Sequence, residues 1–239
     1  MKIKVWEDPY GDGFPTTSCE ELDLNTGLTV LVGCNGSGKS TLIENIASQC
    51  KKDNIPYLKY DDRADSDNLK YRSLEDQDYG FVATTMQSSE GERIVANISK
   101  LAYSLYRFLK TGETDKSRVQ KAFEALYTSD KSNKITSNKR VILLDAIDSG
   151  MSIDNVVELK YFFQLVMKDA AQLNEELYIV VSSNEYELVN GEDNCIDVTT
   201  GDLVSFKDYS DFRSFILKTR KIKEKRDILR DEGINSETN

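Results

Sequence analysis

Val30-Leu31-Val32-Gly33-Cys34-Asn35-Gly36-Ser37-Gly38-Lys39-Ser40-Thr41 runs from an apolar strand through a glycine-rich turn into the start of a helix. It fills every fixed position of the phosphate-binding P-loop pattern G-x-x-x-x-G-K-[ST]. Gly33, Gly36 and Gly38 permit positive φ, which lets loop amides approach the β- and γ-phosphates of a nucleotide. Lys39 carries a mobile positive charge to the outer phosphates, and the Ser40 hydroxyl is a ligand for Mg²⁺. Asn35, Ser37 and Thr41 complete the nucleotide-contacting set. The helix from Lys39 to about Gln49 aims its positive end at the same anion. A glycine turn matching by chance has no reason to sit between a buried strand and an amphipathic helix.

Outward from this turn, Leu28 to Val32 is apolar apart from the β-branched Thr29, as expected for a strand covered on both faces. Val141-Ile142-Leu143-Leu144-Asp145 is a second such strand, and it ends in a carboxylate. That is the Walker B arrangement, in which Asp145 orients Mg²⁺ or its water opposite Lys39 and Ser40. Glu176 to Ser182 is a third strong strand. Ile55 to Tyr60 and the alternating Lys2 to Trp6 are weaker ones. Cys195 to Val198 and Leu203 to Phe206 flank Thr199-Thr200-Gly201-Asp202 as a hairpin. Helices are expected from the apolar spacing of Ile94, Val95, Ile98, Leu101, Ala102, Leu105, Phe108 and Leu109, over Leu159 to Leu173, and from Tyr209 to Arg230. The fold class is α/β: one P-loop domain over residues 1–239 with a mixed sheet flanked by helices. Residues 111–140 form an inserted helical arm or flexible loop. The chain ends in a hairpin, a helix over 209–230 and a disordered tail at 233–239.

Composition narrows the function. The chain has 239 residues, 30% of them charged, and a net charge of −10, so any nucleic-acid contact must be regional. The cysteines at 19, 34, 50 and 195 form no C-x-x-C pair and read as reduced thiols. The count of histidines is 0, which removes imidazole catalysis and Zn-His sites together. No run approaches a membrane span and the first residues lack a signal-peptide core, so a cytoplasmic protein without a membrane contact is expected. The acidic Asp61 to Asp67 stretch reads either as a solvated loop or as a source of a carboxylate near Mg²⁺. Trp6, Tyr10 or Phe14 can stack on a base, although an aromatic in a first strand usually serves the core.

These motifs together resemble the ABC-class P-loop ATPases, in particular their SMC/RecF-like group in a short form without long coiled coils. The string from Gly33 to Thr41 is similar to the group's G-x-N-G-x-G-K-S-T. Ser88-Ser89-Glu90-Gly91-Glu92 resembles a degenerate L-S-G-G-Q signature, and Asp145 to Ser152 resembles D-E-P-x-S-G-L-D. The resemblance implies ATP and Mg²⁺ as cofactors and a homodimer that sandwiches ATP. Ser89 and Gly91 of one copy would contact the γ-phosphate held by the other, with Ser149 to Ser152 along the same interface. Read without the resemblance, the serines before the helix are an ordinary N-cap.

The sequence departs from this pattern at three places. Ala146 stands where the family carries the glutamate that polarises the attacking water, and an alanine side chain holds neither proton nor water. With the surrounding string intact, this reads as an engineered replacement that traps ATP, in preference to a natural pseudo-ATPase. Asn184 occupies the switch position where the family has histidine; its amide can still sense the γ-phosphate without titrating. The Q-loop glutamine has no clear counterpart, because Gln87 lies too close to the signature; Asp61 and Asp62 are the alternatives. Catalytic positions are thus Lys39, Asp145, Ala146 and Asn184.

Three roles follow from the resemblance and the charge pattern. The first is an ATP-driven DNA clamp or motor in repair, recombination or defence, for which the basic run Arg213, Lys218, Arg220, Lys221, Lys223, Lys225, Arg226 and Arg230 is the DNA contact. The second is a nucleotide-gated switch of an unidentified protein partner. The third is a transporter ATPase subunit, which fits worst. The plainer reading of the basic helix is a solvated face, with Phe212, Phe215, Ile216, Ile222 and Leu229 packed on the body.

Overall fold

The computed structural model describes residues 1–7, 9–10, 17–61, 73, 78–87, 90–113 and 137–237. Its strands are β1 (Lys2–Lys4), β2 (Glu21–Asp23), β3 (Gly27–Val32), β4 (Tyr57–Asp61), β5 (Lys139–Asp145), β6 (Glu176–Ser182), β7 (Cys195–Asp197) and β8 (Leu203–Val204). The helices are α1 (Lys39–Lys52), α2 (Tyr79–Gln87), α3 (Glu90–Thr111), α4 (Ile153–Gln172), α5 (Tyr186–Val189) and α6 (Tyr209–Glu237). The expected α/β class with a mixed sheet is what forms.

The main sheet has the order β4-β5-β6-β3-β7-β8. Pairings are parallel from β4 through β7, and β8 returns antiparallel as the expected hairpin. β1 and β2 pair separately. Side chains of the central strands alternate between two cores, as the two-residue strand period requires. Leu28, Val30, Val32, Ile142, Leu144, Ile179 and Val181 face the side closed by α3, α4 and the start of α6. Leu31, Val141, Leu143 and Val180 face α1, where Ile43 and Ile46 pack with β1 and β2. Both faces being covered explains why these strands read as unbroken apolar runs.

α3 buries Leu101, Leu105, Phe108 and Leu109 and exposes Tyr103 and Tyr106, the single apolar stripe expected of it. α4 starts earlier than its apolar run because Ser152 caps it, accepting from the Asn155 N–H at 3.4 Å. β2, α2 and α5 carry too few periodic residues to be read from the chain. Of the expected arm, residues 114–136 lie outside the described residues, while Lys139 and Arg140 belong to β5.

α6 corrects two expectations. It continues to Glu237, past Gly233, where the sequence suggests a disordered tail. One glycine costs about 1 kcal/mol in a helix, and extending an established helix is far easier than nucleating one. Its inward stripe is also different from the apolar one expected: Ile222 and Leu229 are 41% and 58% exposed, whereas Thr219 is fully buried. Phe212, Phe215 and Ile216 do pack on the body, through the aromatic cluster with Phe206 and Tyr186.

Candidate functional site

The parallel sheet brings the C-terminal ends of β3, β5 and β6 side by side, and the sequence motifs lie there. β3 sits between β6 and β7, with Leu31 opposite Ser182 and Val32 opposite Asp197. β5 sits on the far side of β6, with Leu144 opposite Val181. The P-loop and the Asp145 strand end are therefore one strand apart, and the intervening strand delivers Asn184.

Within the P-loop, Gly33, Gly36 and Gly38 have φ of 154, 76 and 106°. The turn is too tight for a side chain at its first glycine: a Cβ on Gly33 would lie 2.5 Å from Ser37 Oγ. Gly38 is the N-cap of α1 in the left-handed conformation and supplies no side-chain cap, so the first helical amides keep their anion-binding direction. Asn35 and Ser40 are exposed, Thr41 is partly buried and Ser37 is buried.

Lys39 is 92% buried, being 8% exposed, and its ammonium is held by oxygens. It donates to Gly33 O at 2.7 Å, to Cys34 O at 3.2 Å and to Asn184 Oδ1 at 3.0 Å. The last bond joins the P-loop to the expected switch residue. A planar amide at position 184 does this with its carbonyl oxygen, leaving its NH₂ to donate elsewhere.

Asp145 is buried at 6% exposure and accepts from the Ser182 hydroxyl. Ser182 Oγ in turn accepts the Ala146 N–H at 2.9 Å. Ser182 thus locks the Walker B carboxylate and the residue after it to β6. Ala146 itself is buried and takes φ of 52°, an uncommon conformation for a residue with a Cβ. On the outer side of β5, Asp61 is the register partner of Asp145, so the β4 carboxylate stands beside the Walker B one. Asp62 lies outside the described residues.

Asp148 is a residue that the sequence reading left without a role. It is 3% exposed, and its Oδ2 accepts from Ser183 Oγ at 2.9 Å, Asn184 N at 2.7 Å and Glu185 N at 3.0 Å. One carboxylate oxygen therefore fixes the whole turn that presents Asn184 to Lys39. Only its place three residues past Asp145 hinted at it. Next to it, burial foremost, then the charges of Asp148 and Glu187, push the Glu185 carboxyl above the usual carboxylate range.

The signature region is only partly visible. Ser89 lies outside the described residues; Gly91 is in the first turn of α3, so the helix begins at Glu90, within the stretch expected to precede it. Gln87 ends α2 directly ahead of it. Ser149 and Gly150 are exposed. Of the candidate base-stacking aromatics, Tyr10 donates to or accepts from Thr41 Oγ1 at 2.7 Å, and Trp6 lines a small cleft with Thr41 and Asn45. Phe14 lies outside the described residues. A larger cleft of about 280 Å³ lies between Thr17, Ser18, Ser37, Thr199, Lys223 and Arg226, and the buried Ser37 Oγ in it makes no hydrogen bond among the described residues.

A tight glycine loop at a helix start, a buried lysine at its centre and a carboxylate one strand away fit a phosphate chain with its Mg²⁺. Fold and site together define a P-loop nucleotide-binding domain. The family model of the AAA domain matches residues 12–239, and the chain belongs to that family of P-loop ATPases. No curated protein matches it. Among the described residues, no helix is long and apolar enough to cross a membrane.

Proposed function

We propose that this AAA-family domain works as an ABC-class ATPase of the SMC/RecF-like group, binding Mg·ATP and closing into a head-to-tail homodimer around two nucleotides. The observation that supports it is the Lys39 to Asn184 bond beside Asp145, which brings the P-loop, the switch and the Walker B strand into one cluster. Gly33 to Thr41 cradle the phosphates, while Ser40 and Asp145 hold Mg²⁺. Ser89 and Gly91 of a second copy complete the γ-phosphate site, with Ser149 to Ser152 along the seam. Tyr10 and Trp6 border the base. When bound, Mg·ATP supplies the phosphoryl group that water attacks; the chain's part is to bind and orient it.

Hydrolysis is slow in this reading, because Ala146 replaces the family's glutamate and traps the ATP-bound dimer. DNA repair, recombination or defence is the setting we favour, since Arg213, Lys218, Lys221 and Lys225 are exposed cations on one helix of an acidic protein. A nucleotide-gated switch acting on a protein partner is the second reading, favoured by the net charge of −10. Transporter coupling is disfavoured by Gln87 abutting α3, which leaves no lobe between them.

Light scattering with and without Mg·ATP tests the proposal. A doubling of mass that needs both Lys39 and nucleotide is expected, and a monomer at saturating Mg·ATP refutes the dimer. A salt-sensitive DNA shift that appears only with ATP favours the DNA role; its absence, with a partner protein retained under ATP, favours the switch.

A further inference from the structure

The body-facing stripe of α6 changes character along its length. Phe212, Phe215 and Ile216 serve the apolar core, and the next positions inward are Thr219, Lys223, Arg226 and Arg230, three or four residues apart. Each of these meets the nucleotide end of the molecule. Thr219 Oγ1 accepts the Cys34 N–H at 3.1 Å while donating to Ile216 O at 2.9 Å, so the hydroxyl is fully used. Lys223 lies along Gly36, close enough that a Cβ there would be 2.8 Å from its Cε. Arg226 Nη2 donates to Gly36 O at 3.1 Å. Arg230 stands 5.8 Å from the centre of the Tyr10 ring, whose hydroxyl bonds Thr41.

We infer that α6 is the clamp that sets the shape of the phosphate loop, with Thr219 and Arg226 as positioning residues for nucleotide binding. Residues 34–36 form the outer limb of the loop, and Gly36 brings no side chain to anchor its end. A hydroxyl and a guanidinium from a helix almost two hundred residues away in the chain hold it instead. Arg226 suits the task because its planar fork is built to donate to an oxygen acceptor such as the Gly36 carbonyl. The reason α6 carries cations on its inward face is then the P-loop, and the basic run divides in two. Lys223, Arg226 and Arg230 turn inward, whereas Arg213, Lys218, Arg220, Lys221 and Lys225 face solvent.

The second part of this inference, the effect on affinity, rests on the reading of the P-loop as a nucleotide site; the clamp itself does not. The test uses the full chain with Thr219→Val, Thr219→Ser, Arg226→Ala and Arg226→Lys. Hydrogen exchange without nucleotide should quicken ~10-fold in the peptide spanning 33–41 for Thr219→Val and Arg226→Ala, with the β5 peptide unchanged in the same digest. Fluorescent ATP should bind these two ~10-fold more weakly, the loss expected when a loop-shaping hydrogen bond is removed. Thr219→Ser and Arg226→Lys, which keep a hydroxyl and a cation, should recover most of both readouts. Equal exchange in wild type and variants overturns the clamp. Faster loop exchange with unchanged affinity overturns the positioning role. A wild-type chain that binds no ATP refutes the proposed function, and the exchange experiment still decides the clamp.

Discussion

Replacing Asp148 with alanine will destabilise the folded chain by about 3 kcal/mol, and the structure shows where that figure comes from. Oδ2 accepts three hydrogen bonds, but the donors are not equally dependent on it. Ser183 Oγ also reaches Glu185 O at 3.1 Å, and the Glu185 N–H also reaches Ser183 Oγ at 3.0 Å. Those two groups retain a partner when the carboxylate goes. The Asn184 N–H, at 2.7 Å from Oδ2, loses the one acceptor it has among the described residues. A bond to an ionised acceptor contributes about 1.5–3 kcal/mol, and the two weakened bonds add about half a kcal/mol each. Asp148→Asn keeps a neutral oxygen at the same place and should cost roughly half as much. Urea titration of wild type and both variants, read at constant m, measures this. Costs within about 0.5 kcal/mol for Asp148→Ala, the range of an ordinary surface change, would refute the anchoring role.

Other expectations are open to equally direct measurement. Ala146→Glu should raise ATP turnover by ~10²-fold or more, as restoring a general base does, and no gain in steady-state phosphate release would sink that assignment. Glu185→Gln should raise stability at neutral pH. The raised carboxyl makes the folded state hold its proton more tightly than the unfolded chain does, so wild-type stability falls as pH climbs above the ordinary value of 4.5 and through the raised one. The gain from glutamine should therefore disappear in acid; a gain independent of pH would contradict the cause given. Burial pushes the Cys50 and Cys195 thiols up to about 12, so both should resist alkylation in the native protein and react once urea unfolds it. Mass spectrometry of native and denatured samples reads this directly, and native labelling of Cys195 would count against the packing around β7.

The P-loop and the Walker B strand are legible in the chain because each is a local pattern. Glycines at fixed spacing and four apolar residues before Asp145 need no distant partner to be recognised. Periodicity likewise exposes the strands buried on both faces and the stripe of α3. Short elements escape it: β2 has 3 residues and α5 has 4, too few for a period to show. The basic helix misled for a different reason. Apolar spacing pointed inward at Ile222 and Leu229, but the surface that α6 crosses there is the P-loop, where the Cys34 N–H and the Gly36 carbonyl are met by a hydroxyl and a guanidinium.

The sequence by itself determined that Gly33 to Thr41 carry the P-loop pattern, that Asp145 ends a buried apolar strand, and that an alanine stands at position 146. Tertiary structure alone decided which side chains hold these parts in register: Asn184 on Lys39, Asp148 beneath the switch turn, Ser182 between Asp145 and Ala146, and Thr219 and Arg226 on the loop. Local patterns follow from the short-range sterics and periodicity of the backbone. Contacts that span 35 to 190 positions depend on where the sheet order places strand ends, and no spacing along the chain encodes that.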